Sequence, residues 1–136
     1  MDTRSKIVEW PEARARFEEQ RAEGNTPILV SGYFDPLLAP HAESLRRLAR
    51  GRPVWVIVHD PPEPILPLRA RAELVAALRT VERVILGDEA VIAEARQLAG
   101  ENGMVAEEAA HLQFRKEFAR RVIERHLQGE ASRSQS

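Results

Sequence analysis

The chain has 136 residues, 20 Lys and Arg against 21 Asp and Glu, and no cysteine. That length predicts one domain burying about two thirds of its unfolded surface, and the lack of cysteine excludes disulfides, thiolate metal sites and a thiol nucleophile. Balanced charge gives no basic field for nucleic acid, and no run approaches the roughly 18 apolar residues of a membrane span or the apolar core of a leader, so a cytoplasmic location is expected.

Pro11 suits a first helical position and Gly24 a stop, so a helix is predicted over 11–23 with Trp10, Ala13, Phe17 and Ala22 on its buried stripe. Ile28–Ser31 follows as a strand so uniformly apolar that it reads as buried on both faces, which favours a parallel sheet. A second helix over 40–50 turns Leu45, Leu48 and Ala49 inward and is stopped by Gly51; Val54–Val58 is a second buried strand.

The segment Asp60–Pro67 holds four prolines and can keep neither ladder nor helix, so it is an extended loop at the carboxyl end of a strand, the edge that lines the ligand crevice in open α/β sheets. A third helix over 68–78, a third strand over 83–86 and a fourth helix from Gly87-Asp88 to Ala99 complete a right-handed parallel α/β unit. Met104–Ala106 fits a short edge strand. Glu107–Leu127 reads as a long amphipathic helix with Ala110, Phe114, Phe118, Val122 and Ile123 on one face. One domain is thus expected over 1–127, followed by a polar, disordered tail over 128–136.

Chemistry concentrates between Ile28 and Arg50. A buried strand ends in Gly32-Tyr33-Phe34-Asp35-Pro36, and a helix starts around Pro40-His41. This is the layout of a phosphate site: Gly32 permits a close approach, the first helical turn offers free N–H groups and a positive dipole end, and His41 can add a donor. Other readings stand beside this one: His41 as a solvent-facing helix cap, Asp35 as an Asx-turn residue, Tyr33 and Phe34 as packing residues, and His59 as a satisfied histidine at a strand end. The four histidines show no metal-ligand spacing. The charges of the last helix read as a solvated face, with no aromatic interleaving for single-stranded nucleic acid.

These residues resemble the cytidylyltransferase-like nucleotidyltransferases, whose signature is Gly-x-Phe-Asp-x-x-His-x-Gly-His. Gly32, Phe34, Asp35 and His41 match it, while Leu38 stands for the first histidine and Pro40 for the glycine. The resemblance spans Pro27 to Glu89, about half the chain, and is most like the heptose-phosphate and glycerol-phosphate nucleotidyltransferases. It implies a small Rossmann-like, three-layer α/β/α fold with a parallel sheet. The implied reaction is transfer of CMP or AMP from CTP or ATP, with Mg²⁺, to a sugar- or polyol-phosphate with release of pyrophosphate.

On that resemblance His41 and Arg71 are the catalytic candidates, and Gly32, Tyr33, Phe34, Asp35, His41 and Asp60 the nucleotide-binding ones. The family's late Ser/Thr-rich motif is absent from the sequence. Two alternatives therefore remain open at this level: a phosphate or nucleotide binder without turnover, and a scaffold domain whose first and last helices form an interface, for example a homodimer.

Overall fold

The structure, a computed structural model, describes residues 2–134. It is an α/β fold of three layers, in which five parallel strands are sandwiched between helices. After a short 3₁₀ turn (Thr3–Lys6), the chain forms β1 (Ile7–Val8), α1 (Trp10–Ala22), β2 (Ile28–Gly32), α2 (Ala39–Ala49) and β3 (Val54–Val58). Next come α3 (Leu68–Ala76), β4 (Val81–Leu86), α4 (Glu89–Ala99), β5 (Met104–Ala106) and α5 (Glu108–Ser134).

The strand order is β1-β4-β3-β2-β5. From β2 the chain steps outward through β3 to β4, then crosses back to place β5 on the other side of β2. The strand order therefore reverses beside β2, and a reversal of this kind opens a crevice at the carboxyl ends of the strands. Ile28 to Gly32 pair with Val54 to Val58 in unbroken register, and Leu29 to Ser31 pair with Met104 to Ala106, so β2 is held on both sides.

Strands β2 and β3 are buried along their whole length because helices cover both faces. On one face Val30, Phe34, Val56 and Val84 pack with Leu45 of α2 and with Ala72, Val75 and Ala76 of α3. On the other, Leu29, Trp55, Ile57 and Ile85 pack with Trp10, Ala13 and Phe17 of α1 and with Ile92 and Ala95 of α4. Phe17 meets Trp55 edge to face, with ring centroids 6.0 Å apart.

The structure departs from the sequence expectations mostly at the ends of the chain. Ile7–Val8 forms a fifth strand on β4, a position where two apolar residues give no alternation to read. Strand β4 begins at Val81 rather than at residue 83, and Ala22 is exposed rather than on the buried stripe. The last helix runs on through residues 128–134, where a disordered tail was expected; Gln, Glu, Ala and Arg are tolerant helix residues, and residues 135–136 lie outside the described ones. Its 27 residues make it roughly 40 Å long. Phe118, Val122 and Ile123 on its expected apolar face are 41%, 51% and 59% exposed, and no described element covers them.

The contact between α1 and the sheet sets a first expectation. Phe17→Ala removes a fully buried ring and its edge-to-face partner, at a cost of about 3–5 kcal/mol. The midpoint of urea denaturation should fall accordingly with an unchanged m-value, the mark of lost packing without altered compactness.

Candidate functional site

The carboxyl ends of β2, β3 and β4 form the site, and a buried arginine holds the first two together. Arg71, in the first turn of α3, has no exposed surface. Its Nη1 donates to the carbonyl oxygens of Tyr33 and His59, at 2.9 and 2.8 Å, and its Nε donates to that of Leu66 at 3.0 Å. Its Nη2 donates to the Asp60 carboxylate. One guanidinium thus ties the ends of β2 and β3 to the proline-rich loop, a use of its rigid fork of donors that a lysine could not copy. Read from sequence as an auxiliary cation for phosphate, Arg71 turns these donors toward the chain's own oxygens, and Asp60 is its counter-charge.

Asp35 has the same architectural role from the other side. Its buried carboxylate accepts the backbone N–H groups of Ile65 at 2.7 Å and Leu66 at 2.9 Å, and Arg115 of α5 lies 3.7 Å away. The Asx turn considered for it does not form; the carboxylate reaches instead across to the proline-rich loop.

His41 lies at the third position of α2 and is 2% exposed, so it is not a solvent-facing cap. Its Nδ1 accepts the backbone N–H of Leu38 at 2.9 Å, taking the part that Glu or Gln plays in a capping box. With Nδ1 an acceptor, the proton of the neutral ring sits on Nε2. That Nε2 is buried without a hydrogen-bond partner. The ring packs against Phe34, His111 and Phe114 with centroids 5.5, 4.4 and 5.1 Å away. Burial lowers its pKa to about 4, the Leu38 contact opposing only in part.

His111 was not singled out from the sequence, where it stands on a charged helix 79 positions after Gly32. In the fold its ring lies on the bare backbone of Gly32: a methyl group there would fall 2.2 Å from Cε1 and 2.5 Å from Nδ1. The close approach that Gly32 permits is therefore taken by this imidazole. Nδ1 of His111 accepts the Tyr33 N–H at 3.0 Å and the Phe34 N–H at 3.4 Å. Burial, reinforced by the neighbouring His41, lowers the His111 pKa to about 3.

The start of α5 is fastened alongside. Ser44 of α2 donates to Glu107 at 2.6 Å, and Ser31 of β2 donates to Glu108. Burial pushes the Glu108 carboxyl up, yet contacts with His59 and Ser31 together hold it below the usual carboxylate range. His59 Nε2 is 3.5 Å from Glu108, and its ring lies 4.8 Å from that of Tyr33.

Tyr33 and His59, with Asp60, Pro61, Pro62, Gly87, Asp88 and Glu89, line an open cleft of about 450 Å³ across the ends of β2, β3 and β4. Burial, with Glu108 and Glu89 nearby, raises the Tyr33 phenol. Phe34 is fully buried and packs, as the plainer sequence reading had it.

Among the described residues no group of three His, Cys, Asp or Glu side chains could hold a metal. Asp35 is committed to loop amides, Asp60 to Arg71 and Glu108 to Ser31 and His59. These three carboxylates are engaged within the protein, which leaves Asp88 and Glu89 as the other acidic side chains lining the cleft.

No family model matches the sequence. Over 91 residues, 60% of this chain, the sequence is 33% identical to the "Bifunctional protein HldE" of Halorhodospira halophila. That stretch covers 19% of the HldE chain, so this chain spans about a fifth of the curated relative it matches. The similarity supports the cytidylyltransferase-like superfamily and no narrower group. No described helix is long and apolar enough to cross a membrane.

Two outcomes follow from the buried groups. Arg71→Met leaves the oxygens of Tyr33, His59 and Leu66 without their donor and should destabilise by about 3–5 kcal/mol in chemical denaturation. The second concerns pH. Unfolded histidines bind protons near pH 6.5, whereas folded His41 and His111 do so only near about 4 and about 3. Stability is therefore complete above pH 6.5 and falls below it, by about 1.4 kcal/mol per pH unit for each histidine. Calorimetric melting from pH 7 to 4 should show this decline, and His41→Asn, which keeps an acceptor for Leu38, should remove one proton's share of the slope.

Proposed function

We propose that this chain is a nucleotidyltransferase-type domain, which takes a Mg²⁺-bound nucleoside triphosphate, CTP or ATP, and passes its nucleotidyl group to a sugar- or polyol-phosphate. The observation that carries this reading is the His41 Nε2–H. It is a donor fixed in one tautomer, buried, without a partner, and placed at the start of the helix that follows the central strand. Leaving such a donor unmade is costly in a folded protein, and an anionic oxygen is the acceptor that rewards it most. The parallel sheet with its reversal beside β2, the matched Gly32, Phe34, Asp35 and His41, and the partial similarity to HldE favour the same reading.

In the proposed reaction an oxygen of the acceptor phosphate attacks the α-phosphorus of the triphosphate. A new P–O bond forms, the bond from the α-phosphorus to the bridging oxygen breaks, and pyrophosphate leaves with those electrons. The attacking phosphate is already a nucleophile, so the protein's contribution is positioning and charge stabilisation. His41 donates to a phosphate oxygen, Arg71 and Asp35 hold the loops that shape the cleft, and the cleft beside Tyr33 and His59 admits the acceptor. Mg²⁺ enters with the nucleotide as part of the substrate. His41 remains neutral above about pH 4, so its donor is equally available across pH 6–8.

The test is pyrophosphate release from CTP or ATP with a panel of phosphosugars and polyol phosphates, beside calorimetric binding of each nucleotide. His41→Ala should reduce turnover by 10²–10³, as expected for removal of one stabilising donor. Absence of both nucleotide binding and pyrophosphate release would contradict this function.

A further inference from the structure

We propose that His111 is a resident competitor for the phosphoryl group at the end of β2: its imidazole occupies two converging backbone amides until an anion takes them, so that α5 gates the site. This inference rests on the anion site of the proposed function and adds to it a device that controls access.

The Tyr33 and Phe34 N–H groups are consecutive, and both point at one acceptor, Nδ1 of His111. Phe34 has φ 49°, in the left-handed region. Successive amides turned to one point by a left-handed residue form a concavity suited to an anion. The orphaned His41 Nε2–H belongs to the same ring cluster, 4.4 Å from His111 between centroids. Two backbone donors thus meet at one neutral acceptor, with a third, unpartnered donor in the same ring cluster. An anionic oxygen makes hydrogen bonds about twice as strong as a neutral one does, so a phosphoryl group outcompetes the imidazole at these amides.

Gly32 shows that the occupation is close-fitting. No other residue type leaves room for the His111 ring on the backbone at this point, and the ring is 4% exposed. The same space cannot hold both the ring and a phosphoryl group.

The helix that carries His111 is fastened at its start and free further on. Its anchors are the Glu107 N–H to the Ser31 carbonyl at 2.9 Å, the two serine–glutamate bonds, and Arg115 to the carbonyls of Pro62 and Glu63 at 3.1 and 3.3 Å. From Phe118 to Gln128 every residue is exposed. These anchors lie on both sides of His111, so clearing Gly32 requires the His111 ring to turn about its own side-chain bonds or this first stretch of α5 to release some of them. Glu107 and Glu108 are carried on the same turn, so an arriving phosphoryl group also repels the element that has to leave.

Competition of this kind lowers apparent affinity by the fraction of molecules in which the amides are free. The probe is inorganic tripolyphosphate, titrated calorimetrically into the wild-type protein and His111→Ala. The expected result is at least tenfold tighter binding to His111→Ala. In the wild-type protein, nuclear magnetic resonance should show the Tyr33 and Phe34 amides shifting as the probe is added, while the His111 ring begins to titrate near the ordinary pH 6.5. Equal or weaker binding to the variant, with the His111 ring signals unmoved by the probe in the wild-type protein, overturns the gate while leaving the anion site standing. Binding to neither protein overturns the anion site and the gate together. Should His111→Ala fail to fold, the wild-type ring signals decide alone: movement supports the gate, and no movement at saturation overturns it.

Discussion

The buried Arg71 guanidinium is the constraint on which the working edge of this molecule depends. Chain segments leaving β2 and β3 must turn away at the carboxyl edge, where ladder partners end and carbonyl oxygens lose their acceptance of strand amides. Arg71 collects two such oxygens, a third from the proline-rich loop and one carboxylate, and Asp35 answers by accepting two amides of that loop. A fully buried charge is expensive unless its hydrogen bonds are satisfied. Here they are, and the loops around the crevice are fixed as a result.

On that frame the chain builds a site of unusual electrical character. The first turns of α2 and α5 bring two imidazoles together at the reversal of strand order, and burial keeps both neutral. Neutral histidines act as donors or acceptors, not as cations. His41 has its donor buried and unused, whereas His111 has its acceptor filled by two amides. The proposed chemistry uses the first and must displace the second. Leu38, where the signature carries another histidine, contributes its backbone N–H to orient His41 rather than a side chain to a ligand.

Much of the fold was legible because its central strands are buried on both faces and written as unbroken apolar runs, Ile28–Val30 and Val54–Val58. Punctuation by Gly24, Gly51 and Asp88 places the helices to within a few residues. Strand β1 was not legible, since two residues carry no period, and the fate of the last helix past Leu127 depends on weak propensities that sequence weighs poorly. At the site, His41 and Gly32 could be found from the strand, turn and helix sequence around them. Their roles could not: Arg71 looks the same in sequence whether it faces a ligand or a carbonyl. His111 reaches Gly32 only through the crossover from β4 to β5, and the bare glycine at a strand end was its one signal.

The central claim is that the end of β2 and the start of α2 receive phosphate. It is tested most directly by a crystal structure of the protein grown with CTP or ATP and Mg²⁺. Triphosphate oxygens are expected within hydrogen-bond reach of the Tyr33 and Phe34 amides and of His41 Nε2, with the His111 ring withdrawn from Gly32. A bound triphosphate held elsewhere, with His111 still seated on Gly32 and His41 Nε2 still without a partner, would contradict it.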